Sequence, residues 1–163
     1  AMHAKKTEAA PVAFEPEFIA AIKQLSEELI CFNQVLGLKL DHITPTEVTA
    51  HIDMRPQLVG HFAYNRIHGG AISAGLDAMG GIALMVALAA KHMDEPVLQR
   101  MQRFAKIGTI DLRVDYLRPG IGERFTLRAE VLRLGSRVAS TRMEFFGADG
   151  ALLAAGAAAY IVA

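Results

Sequence analysis

His68, Gly69 and Gly70 stand directly ahead of residues 71–90, a run whose one charged side chain is Asp77. Free backbone N–H groups at the start of a helix point at solvent or ligand and favour negative charge. Glycines there let a ligand oxygen approach the backbone closely, so the triplet can polarise a carbonyl or hold an oxyanion. The helical neighbours of Asp77 are Ser73, Ala74, Gly80 and Gly81, none of them bulky. Its carboxylate therefore looks into space that a ligand can occupy. An unpaired acid in the most apolar segment of a chain is costly to bury; a ligand site accounts for it, and so does a structural acid hydrogen-bonded to serine or backbone.

The surrounding pattern supplies the elements that must position these groups. Pro16 suits the first turn of a helix. Phe18, Ile19, Ile22, Leu25, Leu29 and Ile30 then recur at helical spacing, which predicts a helix to about Asn33, ending before Gly37. "LGLKLDHI" and "EVTAHIDM" flank "TPT" as a strand hairpin. Residues 55–70 are expected to form a loop leading into a central helix over about 70–91. A connection with a helical turn or two follows. Four strands complete the chain: "TIDLRVDYL", "RFTLRAEVLRLG", "RVASTRMEFF" and "ALLAAGAAAYIVA". Alternation in the first of these puts Ile110, Leu112, Val114 and Tyr116 on one face. Thr109, Asp111, Arg113 and Asp115 fall on the other. The expected class is α+β, an antiparallel sheet of about six strands wrapped around a thin, Ala- and Gly-rich central helix, with one N-terminal helix.

Composition narrows the function classes. With 163 residues and 52% hydrophobic side chains, the chain is long enough for one domain with a substantial core. We expect a flexible arm over residues 1–14 and a single domain over 15–163. Lysine plus arginine equals aspartate plus glutamate, 17 against 17. Such a balance gives no electrostatic case for nucleic acid as a partner. Cys31 is the one cysteine, so no intramolecular disulfide and no site built on paired cysteines is possible. We expect no metal and no cofactor, with the methionines lining a core or an apolar pocket. The first residues lack an apolar stretch of signal-peptide length, so a cytoplasmic address is expected. Residues 71–90 approach transmembrane length. Asp77 near a bilayer centre would cost about 2.5–3.5 kcal/mol, and this segment is expected to be a buried helix rather than a membrane insertion.

The stretch "HGG" followed by an aspartate nine residues after the histidine resembles the signature of the hotdog-fold acyl-CoA thioesterases of the phenylacetate-degradation type. "LVGHFAYNRIHGGAISAGLDAMGGIA" and "RMQRFAKIGTIDLRVDYLRPGIGERFTLRAEVLRLGSRVASTRMEFFGADG" are similar to the enterobacterial medium- and long-chain members, and the likeness covers about residues 16–162. It implies the hotdog fold and hydrolysis of an acyl-CoA to a free acid and CoA. By the same resemblance, the N–H of Gly69 polarises the thioester carbonyl, beside His68 and Gly70. Asp77 acts as general base or as nucleophile, and Thr109 positions the water.

Helix rise then adds a constraint. Eight residues separate Gly69 from Asp77, about 12 Å along an axis, so one carbonyl cannot meet both. A homodimer, in which Gly69 of one subunit works with the partner's Asp77, resolves this; the family favours a dimer of dimers. For the CoA phosphates the candidates are Arg118, before Pro119, and Arg137, after Gly135 and Ser136, with backbone amides near Gly135 as a cradle. In relatives the residue after "VG" is commonly asparagine; here it is His61, and Asn65 is the alternative substrate contact. "GHF" at 60–62 also resembles hotdog 3-hydroxyacyl dehydratases, but their helix acid would fall at Gly75. A non-catalytic acyl-CoA-binding regulator would need a DNA-binding module, for which one helix before the first strand is too little.

Overall fold

The structure, a computed structural model, describes residues 12–163. The expected arm over 1–14 lies almost wholly outside the described residues, and Phe14 packs on Phe18 with ring centroids 4.7 Å apart. The chain runs α1 (Pro16–Gln24), α2 (Cys31–Leu36), β1 (Lys39–Ile43), β2 (Val48–Asp53), β3 (Val59–His61), β4 (Arg66–Ile67), α3 (Gly69–Ala90), α4 (Val97–Gln102), β5 (Gly108–Tyr116), β6 (Arg124–Leu134), β7 (Val138–Phe146) and β8 (Leu152–Ile161). Six strands form one sheet in the order β1-β2-β6-β7-β8-β5, every neighbour antiparallel. The expected hotdog arrangement is the observed one, and α3 is its central helix.

The sheet can close on α3 because the helix is thin where the two meet. Ile72, Leu76, Met79 and Leu84 of α3 are buried together with Ile52, Phe125, Leu127, Met143, Phe145 and Ala158 from the sheet. A Cβ on Gly75 would lie 2.9 Å from Leu127 Cδ2, and one on Gly80 would strike Tyr160 Oη. These two glycines are packing requirements. Gly75 is therefore no place for the acid that a dehydratase would need. The helix is not enclosed on every side, however. Ala74, Asp77, Ala78, Gly81 and Met85 stay partly open along one face.

Two segments differ from the sequence reading. The single helix expected to about Asn33 is broken. A π-helical turn over Leu25–Leu29 is followed by Ile30 at φ −78°, ψ 90°, and α2 then restarts at Cys31. The turn places Ile30 N–H on Leu25 O, and the buried Asn33 side chain donates to Ser26 O at 2.8 Å. A π-turn takes one more residue per turn than an α-turn. The break lets a second apolar run face a new direction, with Gly37 (φ +71°) closing α2. Residues 55–70 also carry more order than a loop. A 3-10 turn over Pro56–Leu58 leads into the β3–β4 ribbon, in which Val59 pairs with Ile67.

Candidate active site

His68 is the N-cap of α3. Its own N–H donates to Leu58 O at 2.7 Å, and its Nδ1 accepts the Gly70 N–H at 2.7 Å. The Ala71 N–H donates to His68 O at 3.0 Å. Of the four amides that open the helix, only Gly69 N–H has no acceptor among the described residues. The Gly70 amide is thus spent on the cap. Because Nδ1 accepts, the neutral imidazole carries its proton on Nε2, and His68 acts on the site by holding the helix start. Tyr116 completes this end, its hydroxyl donating to Gly69 O at 2.7 Å.

Asp77 lies about two turns further on, half-buried rather than fully buried as a core acid would be. Its Oδ1 accepts from Thr109 Oγ1 at 2.8 Å. Tyr160 donates to the Asp77 backbone carbonyl at 2.7 Å, with Oδ1 at 3.3 Å. Oδ2 has no hydrogen-bond partner among the described residues. Burial pushes the Tyr160 phenol well above its ordinary range, and the Asp77 charge adds to that. Both effects favour the protonated phenol, which is the form that donates.

Thr109 reaches Asp77 only because β5 is irregular. Strict alternation puts Thr109 on the charged face, and the ladder shows why that expectation fails. Thr109 pairs with Tyr160 and Asp111 with Ala159, so Ile110 is an extra residue bulged out of register. A bulge shifts every side chain before it to the opposite face. Ile110 is turned outward, 49% exposed, and Thr109, itself exposed, is turned toward Asp77 of α3.

The two groups line separate hollows. Asp77, Thr109 and Tyr160 line a cavity of about 260 Å³ with Ile30, Phe32, Asn33, Ala74, Ala78, Gly81, Ile82, Met85 and Ile107. Gly69 lies in a depression of about 300 Å³ with Arg66, Tyr116, Arg118 and Pro119. The structure thus brings Arg118 to Gly69 and Thr109 to Asp77. It brings none of the other predicted contacts to either. His61 sits exposed in β3, its ring stacked with Phe62 and tilted against Tyr64. Asn65, at φ +50°, lines a different hollow with Met54, Arg55 and Glu123. Gly135 and Ser136 border a larger cavity, about 570 Å³, at the far end of α3 with Lys91 and Lys106. Arg137 is exposed beside them in the β6–β7 turn. The Gly135 amide is no phosphate cradle, since it donates to Val138 O at 3.0 Å to make that turn. Sequence reasoning missed Tyr116 and Tyr160 as site residues. The one available signal is a phenol near the end of β8, a strand in which half the residues are alanine.

A family model described as the thioesterase superfamily matches residues 64–154, which span β4, α3, α4, β5, β6, β7 and the start of β8. The chain belongs to the thioesterase superfamily. It is a thioester hydrolase. The medium/long-chain acyl-CoA thioesterase YigI of Salmonella typhimurium is 37% identical over 131 residues, which cover 80% of this chain and 84% of that protein. The protein of the same name from Escherichia coli K12 gives the same figures. A solved structure from Shewanella oneidensis, described as related to the thioesterase superfamily, has a TM-score of 0.84 at 33% identity. The match covers 92% of this chain and 100% of that one. Both "HGG" and Asp77 fall within the residues matched by the superfamily model.

Proposed function

We propose that the protein hydrolyses acyl-CoA thioesters of medium to long chain, in sites shared between two subunits of a homodimer. Gly69 N–H of one subunit donates to the thioester carbonyl oxygen and stabilises the charge that develops there. The partner's Asp77 uses its free Oδ2 either to take a proton from water or to attack the carbonyl itself. In the first route the water oxygen bonds to the acyl carbon, the C–S bond breaks and CoA leaves as thiolate. Protonation of the thiolate by the acid formed on Asp77 closes the cycle. In the second route water cleaves an acyl–aspartyl anhydride after CoA has left. Thr109 holds Oδ1, so Oδ2 is the oxygen left for chemistry. Arg118, beside Gly69, is placed to meet a CoA phosphate.

One observation carries the shared-site reading: β5 ties the two halves together by its opposite ends. Thr109, near its start, bonds Asp77, while Tyr116, at its finish, bonds Gly69. β5 is also an edge of the sheet, with a free row of backbone groups and exposed Ile110 and Tyr116. Free edges pair with other strands. Antiparallel pairing of β5 with its own copy about a two-fold axis sets each start against the partner's finish. The Thr109–Asp77 end then meets the partner's Tyr116–Gly69 end. A two-fold contact of this isologous kind is the commonest way for a chain to self-associate.

Mixed subunits test it. Gly69→Pro removes the N–H at a helix position where proline is tolerated, after a residue already in the extended conformation (His68 φ −64°, ψ 135°). Asp77→Asn removes the base. Each variant alone is expected to be nearly inactive. Refolded together at equal amounts, half the dimers are mixed and each mixed dimer holds one intact site, so activity returns to about one quarter of wild type. No recovery in mixtures shown to contain mixed dimers would overturn the shared site.

A further inference from the structure

The cavity that holds Asp77 has a shape of its own. Its floor is one face of α3, at the helical spacing Ala74, Asp77, Ala78, Gly81, Ile82 and Met85. Next to the carboxylate this floor is made of small residues, and it closes on bulky Ile82 and Met85. Its outer wall comes from the other side of the broken helix. Ile30 and Phe32 face α3 because the π-turn and the Ile30 kink redirect the chain there. Phe32 is 57% exposed although it lines a cavity, so its ring covers the hollow rather than filling the core.

Gly81 separates this face from the packing side of the helix. Gly75 and Gly80 are glycines because a methyl group would strike the sheet, as described above. A Cβ on Gly81 would meet nothing closer than Tyr160 Cε1 at 3.7 Å, an ordinary contact. Packing does not require a glycine here. What the missing side chain leaves open is the middle of the cavity floor.

We propose that this channel, between α2 and the open face of α3, takes the acyl tail, and that Gly81 and Phe32 set the chain length it admits, with Met85 as the end stop. The proposal rests on Asp77 being the hydrolytic residue. From Asp77 to Met85 is eight residues, about 12 Å along the helix. With C–C bonds of about 1.5 Å an extended chain advances roughly 1.25 Å per bond, so the channel spans roughly nine or ten carbons. Each methylene buried there multiplies binding by roughly fourfold. Catalytic efficiency should therefore climb with chain length and level off once the tail reaches Met85. Longer tails have to pass beneath Phe32 into solvent.

The test is a panel of saturated acyl-CoAs, butanoyl to hexadecanoyl, against wild type, Gly81→Leu, Phe32→Ala and Asp77→Asn. Leucine is a far better helix former than glycine, so Gly81→Leu fills the channel without weakening α3. The expected result is a fall of at least about tenfold in its dodecanoyl-to-butanoyl ratio of kcat/KM. Phe32→Ala, at an exposed position, should move the plateau toward longer chains. Profiles of both variants parallel to wild type would overturn the channel. So would a uniform fall at every length, as an obstructed pantetheine arm would give. Asp77→Asn separates the two levels. If it abolishes turnover while the profiles stay parallel, only the channel assignment has fallen. If it hydrolyses the panel as fast as wild type, the catalytic assignment has fallen with it.

Discussion

The two groups of α3 to which the proposal assigns the chemistry sit eight residues apart on one helix and are held in opposite ways. At its N-terminus the proposed working group is a backbone amide. Side chains act only around it: His68 uses up the next amide and Tyr116 grips the carbonyl of Gly69. Two turns on, the proposed working group is a side chain, and its aim depends on tertiary partners, Thr109 from β5 and Tyr160 from β8. The first half is local, fixed by which amides a helix start leaves free. The second is non-local and depends on the register of an edge strand. The first should accordingly tolerate most substitutions that spare the amide, whereas the second should fail with any change that moves β5.

The most severe way to break the comparison is Asp77→Asn. It removes the charge and basicity but keeps the shape, and kcat should fall by about 10²–10⁴ with substrate binding retained. Steady-state kinetics with isothermal titration of a non-hydrolysable acyl-CoA analogue checks both parts. Gly69→Pro attacks the other half. Loss of one carbonyl-stabilising donor should cost about 10²–10³ in kcat, while a side chain that spares the amide, as in Gly69→Ala, should cost less. The Ala Cβ would lie 3.3 Å from the Tyr116 ring, so some loss from a shifted Tyr116 is expected even there. Equal losses for proline and alanine would show that the amide is not the working group.

Smaller effects sharpen the contrast. Thr109→Ala takes from Oδ1 of Asp77 its shorter hydrogen bond and leaves it only the 3.3 Å contact with Tyr160, and a hydrogen bond to a charged group is worth about 1.5–3 kcal/mol. That corresponds to roughly tenfold to a hundredfold in kcat if the carboxylate turns away. Tyr116→Phe removes a neutral hydrogen bond to Gly69 O, worth about 0.5–1.5 kcal/mol, or at most roughly tenfold. If the local half is as self-sufficient as its geometry implies, Thr109→Ala is the worse of the two. The reverse order would mean that the helix start needs its tertiary clamp more than Asp77 does.

The same division explains what could be seen in the sequence. The start of α3, its core role and the succession of the six sheet strands along the chain follow from local rules. A histidine and two glycines ahead of an alanine-rich apolar run can cap and open a helix, and alternating strands after it can only wrap around it. The helix start and Asp77 stood out from those same residues, whereas their catalytic roles, and Thr109 altogether, came from the resemblance to the thioesterases. What stayed hidden depends on one residue's displacement in a ladder or on which amide finds an acceptor. The Ile110 bulge, which carries Thr109 from the charged face to Asp77, has no marker in "GTIDLRVDYL", where Ile110 fits the apolar alternation. The Ile30 kink lies within an unbroken helical pattern, because a π-turn changes direction without changing composition. The amides of Gly70 and Gly135 look free in the sequence and are spent within the chain, on His68 Nδ1 and Val138 O.

Tyr160 offers the smallest effect and the most specific one. At neutral pH, Tyr160→Phe should lower stability by about 0.5–1.5 kcal/mol through loss of the hydrogen bond to Asp77 O. The further signature is alkaline. A free tyrosine titrates near pH 10, whereas burial, aided by the Asp77 charge, holds the folded phenol well above that. The folded state therefore keeps its proton where the unfolded chain gives it up. This contribution is complete below about pH 10 and is lost as pH rises beyond it, at about 1.4 kcal/mol per pH unit. Urea midpoints from about pH 8 to about pH 11 should show wild type falling more steeply than Tyr160→Phe above pH 10, although both proteins lose stability as their lysines titrate. Parallel curves would mean that Tyr160 ionises within the folded protein, and the phenol could not then be the fixed donor that holds this turn of α3 beneath Asp77.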